Sequence, residues 1–131
     1  MKGSDYSMHR ALTGVGFDEA VERVSDALAA EGFGILTRID VHETLREKIG
    51  AEFRPYAILG ACNPTLAHRA LSQDENLGLL LPCNVVIAST DEGSEVAAIR
   101  PQAMMDIAEG ALVREVAEEA QSRLQRAIES L

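Results

Sequence analysis

The four residues Thr90-Asp91-Glu92-Gly93 constrain this chain more than any others. They separate two short apolar runs, Cys83 to Ser89 and Glu95 to Arg100, and read as a hairpin turn. Strands joined by so few residues pair antiparallel, because a parallel crossover needs about a dozen residues or more. A mixed sheet is therefore expected, rather than a purely parallel one.

The rest of the chain alternates between two hydrophobic periods. Tyr6, Met8, Arg10 and Leu12 alternate weakly, as in a strand, before a turn at Thr13-Gly14-Val15-Gly16. Phe17, Val21, Val24 and Leu28 then recur at helical spacing. Asp18, Glu19 and Glu22 sit early in this helix, where its dipole favours negative charge, and Gly32 suits its C-terminal end. Phe33, Ile35, Thr37 and Ile39 form one side of a second strand; Leu36 opposite them implies partial burial of both faces. A short helix over Val41 to Ile49 ends at Gly50, and a third strand, central by its apolar run, covers Phe53 to Ala61. Asn63 caps a helix with Pro64 in its first turn and a buried stripe of Leu66, Ala67, Ala70 and Leu71. A helical stretch starts at Pro101 and is interrupted at Gly110, and a long amphipathic helix covers Leu112 to Leu131. The expected fold class is α/β of the α+β type, with five or six strands and four or five helices. Residues 1–5 are read as a flexible N-terminus and 6–131 as one compact domain.

Charge narrows the function classes. With 12 basic against 21 acidic residues, the net charge is −9. That disfavours a nucleic-acid backbone or an anionic membrane as partner. No apolar run approaches the roughly 18 residues of a membrane span, and no secretory leader is visible. A cytoplasmic location follows, with Cys62 and Cys83 as reduced thiols.

The chemistry concentrates around those cysteines. Cys62 lies at a strand exit just before a helix N-terminus, whose first N–H groups lack partners and lower the pKa of a nearby thiol. If the strand that begins at Cys83 neighbours the third strand, the two sulfurs approach each other. With His68 they would suit zinc or copper, although the spacing is no standard finger spacing. Cys62 alone suits a nucleophile or redox thiol. The helix N-terminus suits an anion, with Arg69 or Arg54 assisting. Equally, a free cysteine is often a small buried hydrophobe. His9 and His42 read as surface residues, and Met104-Met105 as core, with Met104 able to line a pocket. No nucleophile elbow, P-loop, paired Cys-x-x-Cys or His-Glu-x-x-His is present.

The segments Leu59-Gly60-Ala61-Cys62-Asn63-Pro64 and Gly78-Leu79-Leu80-Leu81-Pro82-Cys83-Asn84, together with Glu31-Gly32-Phe33 and Ile99-Arg100-Pro101, resemble the domain of unknown function 302 family (DUF302) from about Tyr6 to Leu131. The resemblance implies a compact α/β fold with a curved mixed sheet covered by helices, and a homodimer. It implies no reaction.

Two functional readings stand. The first is a non-catalytic pocket for a small ligand, lined by Cys62, Asn63, Cys83, Asn84 and Met104, or for a zinc or copper ion on Cys62, Cys83 and His68. The second is a thiol enzyme or redox protein using Cys62, with His68 or another group as base. No orienting carboxylate accompanies the thiol, which favours the first. A dimeric interaction module, using the C-terminal amphipathic helix, is a third possibility.

Overall fold

The hairpin forms where its turn chemistry places it. In the computed structural model, which describes residue 1, residues 3–107 and residues 111–131, β4 (Cys83–Thr90) and β5 (Gly93–Ile99) pair antiparallel, with Thr90 opposite Gly93. Gly93 is required by a close approach. A Cβ there would stand 2.3 Å from the Leu12 carbonyl oxygen and 2.7 Å from the Gly14 nitrogen.

β1 (Ser7–Thr13) lies beside β5, and β3 (Tyr56–Cys62) lies on the other side of β4. β2 (Gly34–Asp40) completes the sheet as the edge next to β3, giving the order β1-β5-β4-β3-β2. Every neighbouring pair is antiparallel, which corrects the mixed sheet expected from the sequence. A helix between two strands reads as a crossover that traverses the sheet and returns parallel. Here α2 (Val41–Ile49) leads from β2 to β3 and α3 (Pro64–Gln73) leads from β3 toward β4. Each connection begins and ends at the same end of the sheet, so the next strand runs back. Between α3 and β4 the chain makes a 3-10 helix, Glu75–Leu80; the Leu81-Pro82 peptide bond is cis.

Pleating sorts the side chains. Ala57, Leu59 and Ala61 of β3, Cys83, Val85 and Ile87 of β4, and Val96 and Ala98 of β5 are buried on one face. They join one core cluster with Ala20, Val21, Val24 and Leu28 of α1 (Phe17–Ala30) and Leu124, Ala127 and Ile128 of α4 (Ala111–Glu129). The helical stripes expected in α1 and α4 are thus the ones that cover the sheet. Arg123 ties the two helices: its Nη1 donates to the Glu31 carbonyl at 3.1 Å, satisfying an orphan acceptor at the end of α1. A second 3-10 helix, Pro101–Asp106, precedes α4. The break expected at Gly110 lies outside the described residues.

Some expectations fail for identifiable reasons. β3 starts at Tyr56, after Phe53 and Pro55. The strict alternation expected along β2 is broken by a register shift between Ile35 and Thr37, which leaves Leu36 as an extra residue, 66% exposed. β2 is therefore an exposed edge and not a strand buried on both faces. Leu71, expected in the buried stripe of α3, is 38% exposed, while Leu66 and Ala70 are buried.

Candidate functional site

Antiparallel pairing of β3 with β4 brings the two cysteine motifs together. β3 ends at Cys62 and β4 begins at Cys83, with Ala61 directly opposite Cys83 and Gly60 opposite Asn84. Directly opposed residues share a face. Cys83 thus points with Ala61 into the core, whereas Asn84 emerges on the other face of the sheet, in a concavity it shares with Tyr56, Val86 and Ile99. Asn84, expected in the same pocket as the cysteines, does not share it.

Cys62 is the last residue of β3 and pairs with Gly34 of β2. The chain turns into α3, and half-buried Cys62 lines a cavity of about 40 Å³ together with Cys83, Asn63, Phe33, Leu66 and Val116. Asn63 caps α3 as its position before Pro64 requires: its Oδ1 accepts from the Leu66 N–H at 3.2 Å. Its amide nitrogen also fills the space beside Gly32, 3.0 Å from where a Cβ would stand. Gly32 has φ +85°, so the same residue both ends α1 and makes room for the cap of α3.

A second cavity of about 70 Å³ adjoins the first, sharing Ala70, Leu81, Cys83, Val116 and Ala120. Its further walls are Leu77, Leu80, Pro101, Met104, Val113 and Ala117. Met104 is therefore placed on a pocket wall, as anticipated. The leucines of the 3-10 helix and the alanines of α4 were not read as site residues. The Leu77 to Leu81 run carried a signal, since an apolar run cut off by proline is too short for a core strand. Ala117 and Ala120 carried none, because a small residue in a helical stripe reads as packing.

His68 does not join the cysteines. Two residues from Leu66 and two from Ala70, it lies roughly 200° around the helix from each, exposed to solvent. The arginines proposed for an anion are elsewhere as well. Arg69 pairs with Glu115 at 3.6 Å, and Arg54 lines a polar concavity with Thr90, Asp91 and Glu95, at the sheet end opposite Cys62. His42 is half-buried rather than on the surface: its Nδ1 accepts from the Tyr56 N–H at 3.0 Å, and its ring stands edge-on to Phe17.

The electrostatics distinguish Cys83. Burial, and secondarily the negative charge of a Cys62 thiolate, push its thiol up from 9.0 to about 11. Near neutral pH it is a neutral S–H group. Both cysteines are free thiols. Among the described residues, no three His, Cys, Asp or Glu side chains cluster as metal ligands, so the four-donor set of a structural zinc site is not assembled there.

The model of the family described as "Domain of unknown function DUF302" matches residues 8–131. A crystal structure of an uncharacterized conserved protein DUF302 from Bacillus stearothermophilus is similar at 27% identity and a TM-score of 0.86, covering 96% of this chain and 98% of that one. No curated protein matches the chain. Among the described residues, no helix is long and apolar enough to cross a membrane.

Proposed function

The chain belongs to the DUF302 family, and from that premise we propose that it is a non-catalytic binding domain of the cytoplasm. Its site is the larger of the two adjoining cavities, between the end of the sheet, α3 and α4. One observation carries the reading. Among the described residues, the only side-chain heteroatoms lining the larger cavity are the sulfurs of Cys83 and Met104; the remaining described walls are aliphatic. Such a lining offers no hydrogen-bonding groups to a polar ligand and selects a small apolar one. At about 70 Å³, it is roughly half the engineered cavity of about 150 Å³ that binds benzene. The expected ligand is therefore a few apolar heavy atoms, or the apolar tip of a larger molecule. Half-buried Leu80, Leu81 and Val116 on the walls leave a route in. The catalytic alternative lacks support, because His68, its nearest candidate base in sequence, faces solvent.

Xenon tests the reading. Under xenon pressure, the methyl resonances of Leu77, Leu80 and Val116 are expected to shift, and Ala117→Leu to abolish the shifts. Unmoved methyl signals around the cavity would refute the site.

The partner in this reading is a second copy of the chain. Its surface is the sheet face away from α1 and α4, where Ile58, Val86 and Ala97 stand in register across β3, β4 and β5. Five strands about 4.8 Å apart and about 23 Å long present roughly 550 Å². Two such faces together just clear the roughly 1,000 Å² of a specific interface. Light scattering should give a dimer for the wild type and a monomer for Val86→Asp, and a wild-type monomer at high concentration refutes it.

A further inference from the structure

We infer that Cys62 and Cys83 together form a two-coordinate site for a soft monovalent cation, copper(I), in the smaller cavity that both residues line. The inference stands apart from the apolar-ligand reading, which concerns the larger cavity. Its first ground is topological. Cys62 closes β3 and Cys83 opens β4 at the same sheet end, and both line one partly open space of about 40 Å³. That space exceeds the roughly 10–15 Å³ that a cavity needs to hold one water, so there is room for an ion. A disulfide would instead need the sulfurs in contact at about 2.05 Å, closing the space.

The second ground is the donor set. Soft thiolates suit copper(I), zinc and iron–sulfur clusters, and the ligand number decides among them. Apart from the cysteines, the lining is apolar except for Asn63, whose Oδ1 is already engaged as the cap of α3. Zinc prefers four ligands, and no third His, Cys, Asp or Glu joins the pair among the described residues. Copper(I) is satisfied by two.

The third ground is charge. On binding, two S–H bonds break, two Cu–S bonds form and two protons pass to solvent. Copper remains at the +1 state, so no electron moves. The resulting bis-thiolate carries one net negative charge. α3 begins at Pro64, two residues after Cys62, and the partial positive charge of its N-terminus offsets that anion.

The test is anaerobic titration of reduced protein with copper(I) against the chelator bicinchoninate. The wild type should take one equivalent per chain. Cys62→Ala and Cys83→Ala should each weaken it by at least about 100-fold, more than loss of an outer-shell partner costs. Met104→Leu, which alters only the larger cavity, should stay within about twofold, and zinc should not compete. X-ray absorption of the wild-type complex should report two sulfur neighbours at copper, which needs no variant to fold. The inference is overturned if the wild type loses copper to the chelator, if Cys62→Ala retains its affinity, if one copper is shared by two chains, or if zinc binds as tightly. Failure here leaves the xenon result untouched, so the two readings fall separately.

Discussion

Cys83 makes a prediction whose size follows from its burial. Its thiol lies 7% exposed among Ala61, Val85 and the α4 side chains, and burial pushes its pKa from 9.0 to about 11. In the unfolded chain the thiol ionises as pH passes 9, while the folded chain still holds the proton. Unfolding therefore releases a proton between pH 9 and 11, and stability falls with rising pH through that window. Below pH 9 both states are protonated and the full stability is present; above about 11 both are ionised and the loss levels off. At about 1.4 kcal/mol per pH unit, the total is roughly 3 kcal/mol, a large share of the 5–15 kcal/mol typical of a domain. Urea unfolding at pH 8, 9, 10 and 11 in a non-thiol reductant measures it, comparing the wild type with Cys83→Ala. Tyrosines and lysines titrate in both proteins and cancel, and the space left by the alanine adds an offset independent of pH. The wild type's margin over the variant should hold to pH 9, then shrink by roughly 3 kcal/mol by pH 11, about 1–3 M in urea midpoint. Cys62→Ala should keep most of the drop, because burial is the larger cause. Parallel curves for wild type and Cys83→Ala from pH 9 to 11 would refute the argument.

Other perturbations read the frame around the site. Asn63→Ala removes the cap of α3 and should cost about 1 kcal/mol in urea unfolding. Gly60→Ala sets a Cβ 2.3 Å from Thr37 Oγ1 and 2.8 Å from Pro82 Cγ; it should cost about 1–3 kcal/mol in urea unfolding. His68→Ala, on the solvent face of α3, should stay within about 0.5 kcal/mol of wild type and leave copper affinity unchanged. A large loss of affinity would show that His68 reaches the site.

What was legible in the sequence is what local chemistry dictates. The stripe of Val21, Val24 and Leu28 follows from the 3.6-residue period, and it is buried as read. Asn63 before Pro64 announces a cap, and the cap's hydrogen bond is made. Thr90 to Gly93 announces a hairpin, and β4 pairs with β5 across it. What was hidden depends on partners far along the chain. Nothing local in Gly34–Asp40 marks Leu36 as the residue where register shifts, because a bulge is defined against β3. Likewise the helical patterns of α2 and α3 are the same whether the next strand runs parallel or antiparallel. The cavity walls from Ala117 and Ala120 come from how α4 lies over α3, which no window of sequence contains.

Register explains why only some of the cysteine-motif residues meet. In a sheet, slipping the pairing by one residue turns every side chain to the other face. With Ala61 opposite Cys83, Cys83 is committed to the core and Asn84 to the opposite face. Cys62 would follow Asn84 outward if β3 continued. As the last residue of β3, just before the cap and first residue of α3, it lines the cavity together with Cys83. The joint site thus depends less on having two cysteines than on ending one strand at the first and starting its neighbour at the second. The chain between them, α3 and the 3-10 helix Glu75–Leu80, supplies part of the walls, Leu66 and Ala70 from one and Leu77 and Leu80 from the other, beside those from α4. A binding site at this end is therefore built in part by the connection itself, and substitutions in Glu75–Leu80 should change what the cavity admits while leaving the sheet intact.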